Sequence, residues 1–520
     1  MTPPGQSKSN AIVMFGMTLL IAFCFGSSLT AWFHGDDFVH VALLSQERDG
    51  VMSNIWKGSL TGNAPDHNYR PIAYTAFYLL NTGDSAIYLR LFVLALHMLT
   101  TCLLFRVLQA DGIDRLPAAG GALIFALHPG AQPTVLWVSA LGDVLTTFFC
   151  ILAISIYLEK PRGLLRISTL LLCYAGAALS KETGFVLPAL LMLFAWKRNE
   201  LFREWRSWLA FFVFGLLILV IRSHLLENFA AGPRTGHYFT PGLHTLLSLA
   251  KYAYALLIPF PWHWTYAHAW LAGFGLLAPV GIIILLARKG IIRGGMPLLV
   301  SAGMIALPLL PVINVFANWY LYMPMIGIGF IAAHILHALP RRGTMIISCV
   351  LVSWFGITGV YNSLNFVRAG NMEKALLAEL AQKPENEFMA IGMPRQYRGV
   401  PMITFSHHLE LALERYHGTT KSIALPTPAA YSCFAHEVTW NQTSPGILEL
   451  KLPSATLDYF DLFKERGEPW RPYINVLKSN RWGFPVSLEL TLPRTLPLYI
   501  YQGEGHGERF VRIEDKRIEL

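Results

Sequence analysis

Residues 11–41 read "AIVMFGMTLLIAFCFGSSLTAWFHGDDFVHV" and join an apolar run to a pair of adjacent aspartates, Asp36 and Asp37. The run has about 20 residues, the length that a helix needs to cross the hydrocarbon core of a bilayer. It lacks a small-residue cleavage site and further apolar runs follow it, so it is predicted to be a span rather than a signal peptide. Packing such a helix does not require two carboxylates at its exit, so the pair indicates chemistry.

The composition of the chain changes once along its length. The 520 residues are 54% hydrophobic and 14% charged, whereas soluble domains carry about 25% charged residues. Apolar runs follow one another up to residue 362, and the composition is ordinary after it. The sequence predicts a polytopic α-helical membrane domain over 1–362, followed by a mixed α/β domain over 363–520.

The basic residues lie in short loops between the apolar runs, not in one stripe. The net charge of +9 therefore does not indicate a nucleic-acid partner, and positive-inside alternation orients the chain. With a cytoplasmic N-terminus, about eleven spans put every basic loop inside if 243–266 does not cross. The first external loop, 34–85, then lies outside with 363–520, and its apolar spacing predicts one or two short interfacial helices. The predicted spans are 11–33, 86–108, 118–129, 137–158, 164–179, 184–196, 207–226, 270–287, 296–316, 322–339 and 344–362.

Cysteine and histidine usage predicts neither a disulfide framework nor a metal site. Five of the six cysteines lie in apolar runs and Cys433 is alone in the tail, which disfavours structural disulfides. The 17 histidines show no ligand-like spacing. We therefore expect no metal and no cofactor.

Polar residues from distant parts of the chain fall at the outer ends of the predicted spans. Charged groups at or within membrane helices are costly and usually mark function. The candidate site residues are Asp36, Asp37, Tyr69, Arg70, His128, Asp143, Lys181, Glu182, Arg234, His237 and Tyr320.

The aspartate pair has two readings. Neighbours on a helix point about 100° apart, so one carboxylate can act as a general base while the other orients a partner. Close carboxylates also raise one another's pKa toward the range useful for a base. Alternatively, Asp37 caps the helix that follows.

The remaining candidates also have alternatives. Arg70 can hold a phosphate by paired hydrogen bonds or extend to lipid headgroups. Asp143 needs a partner or a wet cavity unless it lies at the interface, and His128 is either catalytic or a helix-end group. Lys181 and Glu182 serve a lipid phosphate and a sugar hydroxyl, or form a solvated turn; Tyr320 binds substrate or belongs to an aromatic belt.

Five motifs occur in a suggestive order. They are the Asp36–Asp37 pair, "NYRP" at 68–71, "HP…W.S…D" at 128–143, "LSKET" at 179–183 and "YLYMP" at 320–324. Together they resemble the GT-C superfamily of polytopic glycosyltransferases over most of residues 11–340. The likeness is closest to the transmembrane O-mannosyltransferases with tetratricopeptide repeats and their bacterial relatives. This chain has no such repeat in its tail, and Trp319 stands where the family usually has an arginine.

The resemblance implies inverting transfer of a sugar from a polyprenyl-phosphate donor to an acceptor hydroxyl on the non-cytoplasmic face. The family's catalytic aspartate in the first external loop maps to Asp36 or Asp37. A phosphate leaves as an anion, so one base suffices, unlike the carboxylate pair of a glycosidase. The leaving phosphate needs nearby positive charge, which Arg70, Lys181 and Arg234 offer.

We therefore expect a membrane hexosyltransferase with a lipid-linked sugar as substrate. The acceptor class (glycan, lipid or protein) stays open, and the favoured location is a bacterial inner membrane with residues 363–520 in the periplasm. One alternative is an oligosaccharide ligase or polymerase that uses the same lipid phosphate. Another is a transporter or flippase of lipid-linked sugars, whose key charges would lie at mid-span.

Overall fold

The structure, a computed structural model, describes two compact units. They comprise residues 1–30, 47–82 and 86–364, and residues 31–46, 83–85 and 365–520. The described residues are 4–45, 50–59, 68–81, 83, 85–159, 161–226, 242–261, 263–264, 277, 281, 295–391, 396–403, 406–424, 439–444, 447–452, 474–478, 486–491, 498–502 and 509–512.

The first unit is helical throughout its described part. Short 3-10 turns at Gly26–Thr30, Val138–Ala140, Glu182–Val186, Leu310–Val312 and Asn318–Leu321 connect or extend its helices. The helices are α1 (Pro4–Phe25), α3 (Val51–Trp56), α4 (Pro71–Leu80), α5 (Ile87–Ala110), α6 (Arg115–Leu127), α7 (Gln132–Leu136), α8 (Leu141–Glu159), α9 (Leu164–Ser180), α10 (Leu187–Lys197), α11 (Trp205–Leu225), α12 (Leu243–Leu257), α13 (Met296–Leu309), α14 (Pro324–His337) and the first part of α15 (Arg341–Ala381).

Five stretches of helix in the described part of the chain are long and apolar enough to cross a membrane. Large apolar side chains on them stay exposed, among them Phe23 at 77% and Phe212 at 69%, as on a surface that faces lipid. Length, composition and exposure together support an integral membrane protein. The predicted span 270–287 lies outside the described residues except for two isolated positions, and the total of about eleven spans stays a prediction. The five stretches are Lys8–Thr30, Ile87–Ala110, Val138–Glu159, Trp205–Leu225 and Arg341–Ala381.

Helix α15 differs from the expectation that a span ends at residue 362 and that a separate α/β domain begins at 363. It runs without a break for 41 residues. No proline falls inside it, and a glycine such as Gly370 costs a helix only about 1 kcal/mol. The change from apolar to mixed composition near residue 362 therefore does not end the helix.

The ambiguous segment 243–266 contains helix α12, which stops before Pro259. A proline restricts the residue before it to extended conformations, which ends a helix. The 15 residues of α12 extend about 22 Å, less than the hydrocarbon thickness of about 30 Å. This length suits a segment that does not cross.

Helices α6 and α14 approach each other through glycine. A Cβ atom at Gly121 would lie 2.5 Å from the Gly329 carbonyl oxygen and 2.7 Å from the Ala333 Cβ. Small residues allow membrane helices to pack backbone against backbone. This contact fixes α14 next to α6, which ends at Leu127, just before His128.

The second unit contains residues 31–46, which the sequence analysis divided between the end of the predicted span 11–33 and the first external loop. Trp32 packs edge to face on Tyr416 at 4.9 Å between ring centroids, and Phe38 contacts the same ring at 6.0 Å. These aromatic contacts bury α2 (Asp37–Ser45) against α16 (Ser406–His417). The segment that carries the aspartate pair is thus held in place by contacts with the C-terminal part of the chain.

Two four-stranded sheets make up most of the rest of this unit. One has the order β10-β9-β1-β4, with β1 parallel to β4 and β9; the other is antiparallel, in the order β5-β6-β8-β7. The strands are β1 (Glu387–Ile391), β2 (Gln396–Tyr397), β3 (Val400–Pro401), β4 (Ser422–Ala424), β5 (Thr439–Ser444), β6 (Ile447–Leu452), β7 (Ile474–Lys478), β8 (Val486–Thr491), β9 (Leu498–Gln502) and β10 (Arg509–Arg512).

Replacement of Gly121 by alanine should loosen the pairing of α6 with α14. The added methyl group meets backbone, so we expect a loss of about 1–3 kcal/mol in unfolding free energy. Gly16→Ala in α1 is the matched control, because no atom lies within 4 Å of its Cβ position, and alanine favours a helix. Thermal unfolding of both variants in one detergent checks this; equal melting temperatures would contradict the close packing.

Candidate functional site

In the first unit, two arginines share the carboxylate of Glu182. Arg70 donates from Nη2 to Oε2 at 2.8 Å and from Nε at 3.1 Å. Arg222 donates from Nη2 to Oε1 at 2.7 Å. Arg70 precedes α4 and Arg222 lies in the last turn of α11, so one carboxylate joins three distant segments of the chain.

Tyr69 is locked beside this ion-paired group. Arg222 donates from Nη1 to the Tyr69 carbonyl oxygen at 2.7 Å, and its guanidinium lies 5.9 Å from the centroid of the Tyr69 ring. The Tyr69 hydroxyl donates to the Trp56 carbonyl oxygen at 3.1 Å. These contacts fix the "NYRP" segment and with it the backbone of Arg70.

A second ion pair lies next to the first. Lys181 donates from Nζ to Asp143 Oδ2 at 2.5 Å, and both side chains are less than a tenth exposed. The Lys181 ammonium also lies 4.5 Å from the centroid of the Tyr320 ring. Asp143 is within electrostatic range of Arg70 and Glu182. The buried carboxylate of Asp143 thus has the partner that such a position requires.

The turn that presents Lys181 and Glu182 depends on a glycine. A Cβ atom at Gly184 would lie 2.3 Å from the carbonyl carbon of Ala177 in α9. Only a residue without a side chain lets the turn Glu182–Val186 fold back onto that helix. The "LSKET" motif followed by glycine is therefore a structural unit that aims two charged side chains at one place.

We name this set of residues, Tyr69, Arg70, Asp143, Lys181, Glu182, Arg222 and Tyr320, the cation cluster. Its three cations exceed its two carboxylates, so it carries net positive charge. The Arg70 side chain is 24% exposed, whereas Arg222 is 4% exposed. Arg70 is thus the cation that an anionic ligand reaches.

The two guanidinium groups control the ionisation of Glu182. Burial alone would raise the pKa of its carboxyl group, but the positive charges of Arg70 and Arg222 outweigh burial and hold that pKa well below its usual value. Glu182 therefore stays ionised over the whole range of pH in which the protein would be assayed.

Among the described candidates of the first unit, His128 is not part of the cation cluster. His128 is buried, accepts from the Gly130 N–H through Nδ1 at 3.0 Å, and packs on Phe355 at 5.0 Å. These contacts match the helix-end role that the sequence allowed. Arg234 and His237 lie outside the described residues.

In the second unit, Asp37 is the first residue of α2, and its side chain bonds to the turn that precedes the helix. Its Oδ2 accepts from the backbone N–H of His34 at 2.9 Å, and its own N–H donates to the His34 carbonyl oxygen at 2.9 Å. The side chain reaches back over one turn, as in half of a capping box. Asp37 is fully buried.

Asp36 has a different environment. Its side chain is 50% exposed, and Oδ1 lies 3.5 Å from Nδ1 of His408 in α16. Of the two adjacent carboxylates, Asp36 is the one that solvent reaches. The two neighbouring carboxylates therefore differ: Asp36 is exposed to solvent, whereas Asp37 is buried and hydrogen-bonded to the backbone.

A buried glutamate holds this turn in place. Glu373 Oε1 accepts from the N–H groups of Ile403 at 2.6 Å and Gly35 at 3.4 Å, and Oε2 lies 3.2 Å from His34 Nδ1. Gly35 has φ +51°, a conformation that glycine adopts readily. Glu373 thus connects α15 to two backbone segments: the turn at Gly35, next to Asp36, and the segment at Ile403, before α16.

Sequence reasoning missed three of these residues. Glu373 lies on the same face of α15 as the buried Leu376 and Leu377, and a charge at that spacing on an apolar face was the available signal. Arg222 is a cation near the outer end of an apolar run, where positive-inside alternation does not place one. His408 carries no comparable signal, because only the fold brings α16 to the turn.

No metal site is formed by the residues that the structure describes. Among them, no group of three or more His, Cys, Asp or Glu side chains is placed to hold a metal ion.

Replacement of Glu182 by glutamine should remove the negative charge with which the guanidinium groups of Arg70 and Arg222 pair. We expect the unfolding free energy to fall by about 1–3 kcal/mol near neutral pH. Folding lowers the pKa of Glu182, so the wild-type contribution is complete above the ordinary value of about 4.3 and is lost as the pH falls further. Melting temperatures of wild type and variant should therefore converge only below about pH 4.

The control for this experiment is Glu159→Gln. Glu159 pairs with Arg106, and the two side chains are 31% and 49% exposed, so the loss should be small. Convergence of the Glu182→Gln and wild-type curves already at pH 5 would show that the carboxyl group titrates normally.

Comparison with known proteins gives structural neighbours only. No protein-family model and no curated protein matches the sequence. ArnT from Cupriavidus metallidurans bound to undecaprenyl phosphate aligns with a TM-score of 0.47 and 13% identity, over 92% of this chain and 97% of that one. Its apo structure aligns with a TM-score of 0.44 and 13% identity, over 93% and 98%.

A third neighbour is the archaeal oligosaccharyltransferase AglB from Archaeoglobus fulgidus, in complex with an inhibitory peptide and a dolichol-phosphate. It aligns with a TM-score of 0.45 and 10% identity, over 82% of this chain and 66% of that one. TM-scores below 0.5 do not by themselves establish a common fold, so the resemblance continues to rest on the motifs.

Proposed function

We propose that this chain is a GT-C-type membrane glycosyltransferase. It moves a hexose from a polyprenyl-phosphate donor to an acceptor hydroxyl on the non-cytoplasmic face, with inversion. The observation that carries the proposal is the Glu182 carboxylate shared by Arg70 and Arg222, beside the Lys181–Asp143 pair. The five sequence motifs support the same assignment.

The cation cluster is suited to a lipid phosphate. A guanidinium offers paired donors in the geometry of a phosphate, and Arg70 combines partial exposure with a fixed position. When the sugar leaves the donor, negative charge grows on the phosphate, and positive groups that are already in place stabilise it. Arg222 and Glu182 hold Arg70, while Asp143 holds Lys181.

Asp36 is the better candidate for the general base. Its carboxylate is half-exposed, whereas Asp37 is buried and bonded to the backbone of its own helix end. In the proposed step the acceptor O–H gives its proton to Asp36, and the freed electron pair attacks the anomeric carbon. The bond from that carbon to the phosphate oxygen breaks, and the electron pair leaves with the phosphate.

The placement of the charges favours an enzyme over a transporter. Arg70 precedes a helix, Lys181 follows one, Asp143 is in a first turn and Arg222 in a last turn. Transporters bind substrate near the bilayer midplane, at the interface between repeats. Charges at the ends of helices do not fit a site at that depth. A ligase or polymerase remains the second enzymatic alternative, and the size of the transferred group separates it from a hexosyltransferase.

The finer assignments belong to the same proposal. They are a bacterial inner-membrane location, a periplasmic domain over 363–520, a membrane domain over 1–362, and substrate contacts by Arg234 and His237. The acceptor is a glycan, lipid or protein hydroxyl.

Asparagine substitutions should separate the two aspartates. Asp36→Asn should slow release of radiolabelled sugar from polyprenyl-phosphate hexoses about 10²- to 10⁴-fold, because a general base is lost. Asp37→Asn should stay within a few-fold of wild type, because the side-chain oxygen of asparagine can still accept the hydrogen bond from the His34 N–H. The reverse pattern would assign the base to Asp37, and full activity in both folded variants would overturn the role of the pair.

Replacement of Arg70 by glutamine should weaken donor binding more than it slows turnover of bound donor. Loss of a charge-assisted hydrogen bond to phosphate should raise the dissociation constant of the lipid-linked sugar about 10- to 100-fold. The control is Arg106→Gln, which removes an exposed pair at the opposite end of α5 from the "NYRP" side. Equal donor affinity in both variants, measured by titration of labelled donor, would place the phosphate elsewhere.

A further inference from the structure

His408 occupies a fixed position beside Asp36. It lies in the first turn of α16, with its side chain 7% exposed and Nδ1 3.5 Å from the half-exposed Asp36 carboxylate. The His408 imidazole is therefore buried, whereas the Asp36 carboxylate beside it is exposed to solvent.

Contacts on both sides keep the imidazole there. Before α16, the N–H of Ile403 donates to the buried Glu373 carboxylate at 2.6 Å. At the other end of α16, Tyr416 packs between Trp32 and Phe38, at 4.9 and 6.0 Å between ring centroids. The segment that carries His408 is thus anchored to the residues that flank the aspartate turn.

The neighbouring carboxylates have other tasks. Glu373 accepts from two backbone N–H groups and contacts His34. Asp37 accepts from the His34 N–H, and Glu410 of α16 accepts from the Ile423 N–H at 3.0 Å. These carboxylates accept hydrogen bonds from backbone N–H groups, whereas Asp36 both contacts an imidazole and is exposed to solvent.

We propose that His408 is a positioning residue for the proposed base, Asp36. The contact of the His408 Nδ1–H with Asp36 Oδ1, 3.5 Å apart, orients the carboxylate plane, so that Oδ2 faces the acceptor hydroxyl. The N–H dipole also stabilises the Asp36 carboxylate anion next to the adjacent acidic side chain of Asp37. His408 keeps its proton throughout, while the acceptor proton goes to Asp36. This inference rests on the proposed transferase function.

The experiment compares His408→Ala, His408→Asn and His417→Ala. Asparagine carries an amide N–H near the position of Nδ1, and His417 is an exposed residue of the same helix. We expect His408→Ala to lower kcat about 10- to 100-fold, as a misplaced catalytic group does, without a change in donor affinity. His408→Asn should recover most of the loss, and His417→Ala should match wild type.

A second measurement separates positioning from a general loss of structure. In an Asp36→Asn background, His408→Ala should cost little more, because the two residues act as one unit. Additive losses, no recovery by asparagine, or an equal kcat for His408→Ala and His417→Ala would overturn the inference while leaving the transferase intact. No sugar release by the wild type from any polyprenyl-phosphate hexose would overturn the proposed function, and the inference with it.

Discussion

The shared carboxylate of Glu182 is the interaction on which the first unit's polar site depends. An arginine buried among apolar helices is costly, and Arg222, 4% exposed, is tolerable because Glu182 and the Tyr69 carbonyl oxygen take its donors. The same carboxylate then sets the plane of Arg70. A bilayer-facing bundle can thus offer one accessible guanidinium in a fixed orientation, which is what recognition of a lipid phosphate requires.

The second unit uses a buried carboxylate in a comparable way. Glu373 collects N–H groups from Gly35 and Ile403, two segments far apart in sequence, and contacts the His34 ring. A carboxylate removed from water needs hydrogen-bond donors from the protein. The bonds that Glu373 accepts from Gly35 and Ile403 therefore stabilise both the buried carboxylate and the shape of the turn. Asp36 owes its place to this turn.

Five acidic side chains therefore have different roles that follow from their surroundings. Glu182 and Asp143 neutralise cations at the ends of apolar helices, while Glu373 and Asp37 satisfy backbone donors. Asp36 is half-exposed and beside an imidazole, which suits a group that exchanges a proton with substrate. Burial and hydrogen bonding, rather than residue type, separate the structural carboxylates from the proposed catalytic one.

The sequence by itself determined the features that depend on local chemistry: the apolar runs and the charged residues at their ends. These follow from hydropathy, helix period and neighbouring residues. Tertiary structure decided the pairings, because Arg222, Glu373 and His408 meet their partners only after distant segments fold together. It also decided that α15 continues past residue 362, since a change in composition does not end a helix that contains no proline.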